Sequence, residues 1–331
     1  MRVLYGIIVF FALFLLACSD AEREEKRLEG NLLMKGDSGV CYDGIGLTES
    51  YLVLLARGCD TIIQVFDKDD LSHLHAFALK GYGATYFSNP EFMKSNTKEP
   101  AGKDEFWIVD NQLTFNKMQV LADSLRFDRK YILIPELVPS THYNVTTKEV
   151  YAVPIVEKNV YGPFCYANRE EGMYWVEPPK VARTYRSCKH VAYLPNLCVN
   201  ERQNSVVAAL RFFNQIDFYD LKGTYQRSFT YGKEPIVPLL KKNDTQVDVL
   251  GTTKCFIDIF GTDQYVYCLY DGSADFSNLS TLLVLSWDGQ LKKRLNFDRS
   301  IKRIAVDPSD RFLVALALDE SGALDVVKYS I

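Results

Sequence analysis

His73 and His75 stand two apart, so a β-strand would place both imidazoles on one face, a spacing that metal sites use. Phe77 and Leu79 continue the same phase, however, and packing is the weightier reading of that face. Asp67-Lys68-Asp69-Asp70 opens like a calcium loop. Leu71 then stands where another oxygen is needed, Ser72 replaces the turn glycine and Ala78 the closing acid, which excludes an EF-hand. Cys188-Lys189-His190 would set a thiol and an imidazole on one strand face, but the fold, not adjacency, usually assembles catalytic dyads. A core or disulfide role for Cys188 is therefore preferred. Glu170, Glu171 and Glu177 flank Tyr174 and Trp175; paired carboxylates cleave glycosidic bonds only at set separations, and acidic turn residues beside a buried Trp are the simpler expectation. Trp107, Trp175 and Trp287 could stack on sugars if exposed, yet such strands more often place Trp in the core. No G-x-S-x-G, H-E-x-x-H or P-loop motif occurs. The expectation is thus no catalytic, cofactor-binding or metal-binding residue, and no cofactor.

Whatever positions these residues is a chain of 331 residues, 47% hydrophobic and 24% charged, ample for a large core. The balance of 38 basic and 42 acidic residues gives a net charge of −4 and supplies no surplus to neutralise phosphates, so nucleic acid is not an expected partner. Twenty Tyr, 20 Phe, 19 Gly and 12 Pro favour strands and tight turns.

The N-terminus carries an address. Arg2 precedes an unbroken apolar run over residues 3–17, too short for the roughly 20 residues of a bilayer span and suited to a signal peptide. The run ends in Leu15-Leu16-Ala17-Cys18, which resembles the bacterial lipobox. By that resemblance residues 1–17 are a lipoprotein signal peptide and Cys18 becomes the acylated first residue of the mature chain. Residues 18–31 are then a charged, solvated tether beginning Ser19-Asp20-Ala21-Glu22, and residues 32–331 a single folded domain. Acidic residues directly behind the cysteine resemble an export signal of Bacteroidetes lipoproteins, so an outer-membrane address is expected, on the periplasmic or the cell-surface side. The sequons at Asn144, Asn243 and Asn278 carry no weight in a bacterium.

Seven cysteines remain after Cys18, in a compartment where disulfides persist. A two-residue turn at Gly261-Thr262 would bring Cys255 and Cys268 opposite one another at a non-hydrogen-bonded site, making them the best candidate bridge; a change of turn would break that register.

From about residue 40 onward, runs of five to eight apolar, β-branched and aromatic residues alternate with Gly, Asp and Asn. Meanders are predicted over 51–57, 61–66 and 71–77; over 205–211, 215–219 and 224–230; over 265–270, 282–287 and 290–297; and over 301–306, 312–318 and 323–329. Residues 89–103 and 138–147 read as loops. An aromatic residue before Asp recurs at Phe66-Asp67, Tyr219-Asp220 and Trp287-Asp288, giving a ragged unit near fifty residues. A four-stranded unit has two apolar faces that only neighbours can cover, and stacking units around an axis covers both. The predicted fold is all-β, a six-bladed β-propeller, with seven blades or tandem β-sandwiches as alternatives. Residues 32–40 are expected to add a strand beside 323–329 and close the ring.

Ile63-Gln64-Val65-Phe66-Asp67, then Gly81-Tyr82-Gly83, Asn89-Pro90-Glu91-Phe92 and Phe106-Trp107-Ile108-Val109-Asp110, with Ile304-Ala305-Val306-Asp307 near the end, resemble blade junctions of the TolB-like six-bladed propeller lipoproteins of Bacteroidetes. The resemblance implies fold and address, and no settled activity. The functional expectation is a lipid-anchored cell-envelope protein acting as a non-catalytic binding or scaffold module. Its partners would be the membrane, through the anchor, and a protein or glycan. The alternative is a glycan- or lactone-hydrolysing enzyme with an acidic site at the channel mouth. Three or more carboxylates or amides around a cation there would mark catalysis, and an apolar or irregular mouth would mark binding. A subunit of an outer-membrane assembly would instead show a broad aromatic patch on its flank.

Overall fold

The computed structural model describes residues 24–36, 42–56, 58–81, 86–94, 104–110, 114–122, 124–131, 137, 140–154, 164–168, 170–180, 182–242 and 245–331. Residues 1–23, including Cys18, lie outside these, as does Cys41. The chain is 57% strand and 3% helix, arranged as six small sheets in a ring: a six-bladed β-propeller, and neither seven blades nor a pair of sandwiches.

Each blade is an antiparallel meander running from the central channel outward. The first is β3 (Gly44–Leu47), β4 (Tyr51–Leu55), β5 (Thr61–Asp67) and β6 (His73–Lys80), with β7 (Tyr86–Phe87) added in parallel. The second is β8 (Glu91–Phe92), β9 (Glu105–Asp110), β10 (Thr114–Val120) and β11 (Leu125–Tyr131). The third is β12 (Ser140–Val145), β13 (Glu149–Pro154), β14 (Phe164–Asn168) and β15 (Gly172–Val176), and the fourth β16 (Pro195–Asn200), β17 (Ser205–Leu210), β18 (Gln215–Tyr219) and β19 (Tyr225–Thr230). The fifth contains β20 (Lys254–Gly261), β21 (Tyr265–Ser273), β22 (Thr281–Ser286) and β23 (Leu291–Phe297), and the sixth β24 (Ile301–Val306), β25 (Phe312–Leu318) and β26 (Leu324–Ser330).

Two N-terminal strands finish the ring. β2 (Asn31–Met34) pairs antiparallel with β26, with Leu32 opposite Val327, so the last blade takes its outer strand from the start of the chain. β1 (Glu24–Leu28) lies parallel to β23 on the fifth blade. Within the stretch expected as a tether, Leu28 is 2% exposed and joins the core with Leu295 and Phe297, while Glu25, Lys26 and Arg27 stay in solvent. Asn296 Nδ2 donates to Glu25 Oε1 at 2.9 Å, adding a side-chain bond to the strand pairing.

Apolar side chains fill the spaces between blades. Ile45, Leu54 and Phe66 of the first blade meet Val314 and Val326 of the sixth, which closes the circle. Val207 and Ile216 of the fourth meet Ile259 and Leu285 of the fifth. Between the second and third blades Phe115 packs edge-to-face against Tyr143, with centroids 5.8 Å apart. The recurring aromatic-Asp pair sits at the end of the third strand in blades one, four and five. Asp67 Oδ1 accepts from the Asp69 amide at 2.8 Å, and Asp220 Oδ1 from the Lys222 and Thr224 amides at 2.9 and 2.8 Å, so these acids close turns.

The expected Cys255–Cys268 bridge is not formed, and both thiols are free. Thr262 N donates to the Tyr265 carbonyl at 2.9 Å, so the two-residue loop is Asp263-Gln264, two residues later than Gly261-Thr262. Cys268 consequently opposes Ile259. The β-bulges of β20 then carry Cys255 further out of register.

Candidate functional site

The six inner strands surround a cavity of about 60 Å³, room for a few waters, at the axis of the ring. Every blade contributes a polar or charged side chain to its wall: Asp43 just before β3, Glu91 of β8, His142 of β12, Asn196 of β16, Asp258 of β20 and Arg303 of β24, with Lys94 beyond β8.

Part of this polarity holds the ring together. Asn144 Nδ2 donates to the Leu197 carbonyl at 3.1 Å, Asn196 Nδ2 to the Phe256 carbonyl at 2.8 Å, and the Ile304 amide to Asp258 Oδ2 at 2.9 Å. Each bond runs from one inner strand to the next, satisfying backbone groups that face the channel instead of a sheet partner. Lys94 Nζ stands 3.4 Å from Asp258 Oδ2, so the ammonium is spent on that carboxylate.

The remaining charges gather where the inner strands begin. In an antiparallel blade that is also where second strands end, so Arg211, directly after β17, belongs to the same face. Its amide donates to the Leu194 carbonyl at 2.8 Å and its carbonyl accepts from the Cys255 amide at 2.7 Å, seating it between the starts of β16 and β20. Arg303 lies on the cavity wall on the far side of β20. Among the described residues neither guanidinium has a carboxylate within ion-pair distance; Arg303 donates to the Lys302 carbonyl at 3.0 Å. Burial, and then the charge of Arg303, pull the Arg211 pKa down. Lys254, first residue of β20, is lowered by burial and by Arg211, and Lys302 by burial, with Arg303 adding to it. His142 is held neutral, its pKa lowered to about 4 by burial and by Arg303, Arg211 and Lys94, against a raising effect from Asp258. Its side chain keeps 34% of its surface open, toward the cavity, and Nδ1 lies 3.9 Å from Glu91 Oε2.

The groups singled out by sequence spacing lie elsewhere. His73 Nε2 meets Gln64 Oε1 at 2.8 Å and His75 Nε2 the Ala122 carbonyl at 2.8 Å, on the outer part of the first blade. Cys188 and His190 belong not to a strand but to a helical turn (Lys189–Ala192), and burial raises the thiol pKa and lowers that of the imidazole. Glu177 pairs with Lys189 at 2.8 Å and Glu171 with Lys222 at 3.3 Å, both on the surface. Trp287 is core, with Nε1 donating to the Thr262 carbonyl at 3.0 Å. Among the described residues no three His, Cys, Asp or Glu side chains converge where one metal ion could sit. The wall holds three carboxylates and the Asn196 amide, but they are spread around the ring, and the cation beside Asp258 is the Lys94 ammonium.

Sequence reasoning missed the whole mouth. Its signal was the charged residues at the starts of inner strands, Lys254, Lys302 and Arg303, which were visible once those strands were assigned to the channel.

No helix among the described residues is long and apolar enough to cross a membrane. No family model matches the chain. No curated protein sequence matches it either. Among solved structures, the chain is similar to a member of the DUF4221 family from Bacteroides vulgatus ATCC 8482, at 11% identity and a TM-score of 0.59 over 91% of this chain and 98% of that one. It is also similar to a protein of Bacteroides fragilis NCTC 9343 whose name marks it as exported, at 10% identity and a TM-score of 0.53 over 92% and 98% of the two chains. At such identities the likeness is one of fold, and the six-bladed propeller is what the chain shares with both.

Proposed function

We propose that this chain is an exported, lipid-anchored envelope propeller of the TolB-like kind, held to the outer membrane through Cys18, which binds a partner protein at the face where its inner strands begin. The observation that carries the binding reading is the long connection between β19 and β20, residues 231–253. It sets Val237, Leu239, Val249 and Leu250 on that face at 47%, 54%, 43% and 85% exposure. Leu279, on the neighbouring connection, adds 59%. Exposed aliphatic side chains grouped beside charged ones fit a protein-binding surface. The exported neighbour and the lipobox-like Leu15-Leu16-Ala17-Cys18 support the address.

The test is growth in radiolabelled palmitate followed by capture of the tagged chain from envelope membranes. Label in the wild type and none in Cys18→Ala is expected, with a protein that co-purifies with wild type and is lost from Leu250→Asp. An unlabelled wild type sinks the anchor, and recovery of the bait alone sinks the binding role.

A further inference from the structure

We infer that the lipid surface lies against the hairpin side of the fifth blade, at the outer edge where β22 turns into β23, so that the proposed binding face is turned away from the bilayer. This deepens the anchored-envelope reading and rests on Cys18 being the acylated residue.

β1 fixes the place where the chain from Cys18 reaches the ring. It runs parallel to β23, and because consecutive strands of the meander alternate in direction, β23 starts on the side where β20 ends. The register says the same. Glu24 lies opposite Lys293, Lys293 opposite Val284, Val284 opposite Tyr267 and Tyr267 opposite Phe260, a row that crosses the whole blade to the last residue but one of β20. Lys254 opens β20 at the binding face, six residues before Phe260 and so about 20 Å from it at the usual rise of a strand. β1 cannot slide along this edge. Leu28 is held in the core and Asn296 Nδ2 holds Glu25. The Gly30 amide then donates to Asp298 Oδ2 at 3.2 Å, at a point where a Cβ would run into Val327.

Cys18 precedes Glu24 by six residues, a reach of about 20 Å at full extension. To lay the binding face on the lipid, that stretch would have to cover the depth of β20 and then the connection over residues 231–253. Its reach is exhausted by the strand alone. The hairpin side requires almost none of it. A partner docking on Val237, Leu239, Val249 and Leu250 therefore meets no competition from the bilayer.

The test reconstitutes the acylated chain, purified from envelope membranes, into vesicles of phosphatidylethanolamine and phosphatidylglycerol. These carry a trace of phospholipid with a photoreactive headgroup, and crosslinked peptides are mapped by mass spectrometry. Crosslinks should be fivefold or more richer over residues 286–293 than over residues 231–253. A Gly/Ser insert of about 30 residues after Asp20, which adds roughly 30 Å of mean reach, should keep the acyl label and abolish that bias. Leu28→Asp, which frees β1 and so lengthens the tether, should weaken it. A labelled wild type whose crosslinks are even or favour residues 231–253 overturns the orientation while leaving the anchor standing, as does a bias unchanged by the insert. A wild type without acyl label overturns the anchor and the orientation together.

Discussion

Lys94 Nζ lies 3.4 Å from Asp258 Oδ2, linking the inner strand of the second blade to that of the fifth across the axis of the ring. The same ammonium donates to the Ile304 carbonyl at 3.1 Å, and the Ile304 amide donates back to Asp258 at 2.9 Å. Three blades that are not all neighbours thus share one small network, and with the Lys94 carbonyl accepting from the Cys198 thiol at 2.8 Å the fourth blade is drawn in as well.

Removing the lysine leaves a nearly buried carboxylate with one backbone donor. Lys94→Met should cost about 3 kcal/mol, the usual penalty for breaking a buried pair from one side. The denaturant midpoint checks it, and Lys94→Met with Asp258→Leu should recover much of the loss because no orphan charge remains. A single variant at wild-type stability would mean that water replaces the ammonium without penalty.

Gly261 ends β20 with no space for a side chain. A Cβ there would come 2.7 Å from Cys198 Sγ and 2.8 Å from Trp287 Cζ2, between blades four and five. Gly261→Ala should destabilise by roughly 1–3 kcal/mol through overpacking, and Gly261→Ala with Cys198→Ala should be closer to wild type. Equal stability of the single variant would show that Trp287 yields freely.

Burial pushes the Cys165, Cys198 and Cys255 thiols up to about 12, and raises Cys268 well above the ordinary thiol value. A thiol that ionises near its ordinary value when unfolded and near 12 when folded stabilises the fold fully below that ordinary value, and the contribution fades as pH climbs from there toward 12. Titration with a thiol-reactive dye at neutral pH should therefore leave these four unmodified until denaturant is added, while half-exposed Cys59 reacts. Fast labelling of Cys198 in the native state would contradict its placement.

How much of this was legible follows the sheet faces. Residues 301–306 and 312–318 alternate between two apolar environments and matched β24 and β25 to the residue. Glu91–Phe92 and Ser140–Val145 were read as loop, because a strand lining a wet channel carries Glu91, His142 and Asn144 where an outer strand would carry Val or Ile. The features that hide an inner strand are thus the features that build the mouth, so the fold was readable and the site was not. The shift of two residues at Asp263-Gln264 has a different origin: Thr262 and Asp263 are both good turn formers, and only packing of Ile259 against its neighbours chooses the register.

His142 should give the mouth a pH signature. The unfolded chain binds a proton at this imidazole near pH 6.5 and the folded chain at about 4. Between those values the unfolded state therefore carries more protons, so stability must fall as pH drops from 6.5 to 4. Burial is the main cause, followed by the charges of Arg303, Arg211 and Lys94, with Asp258 opposing them and Glu91 standing 3.9 Å away. His142→Asn should flatten urea midpoints across that window relative to wild type. If the wild-type midpoint were level from pH 6.5 to 4 while the variant's fell, the imidazole would be charged in the folded protein.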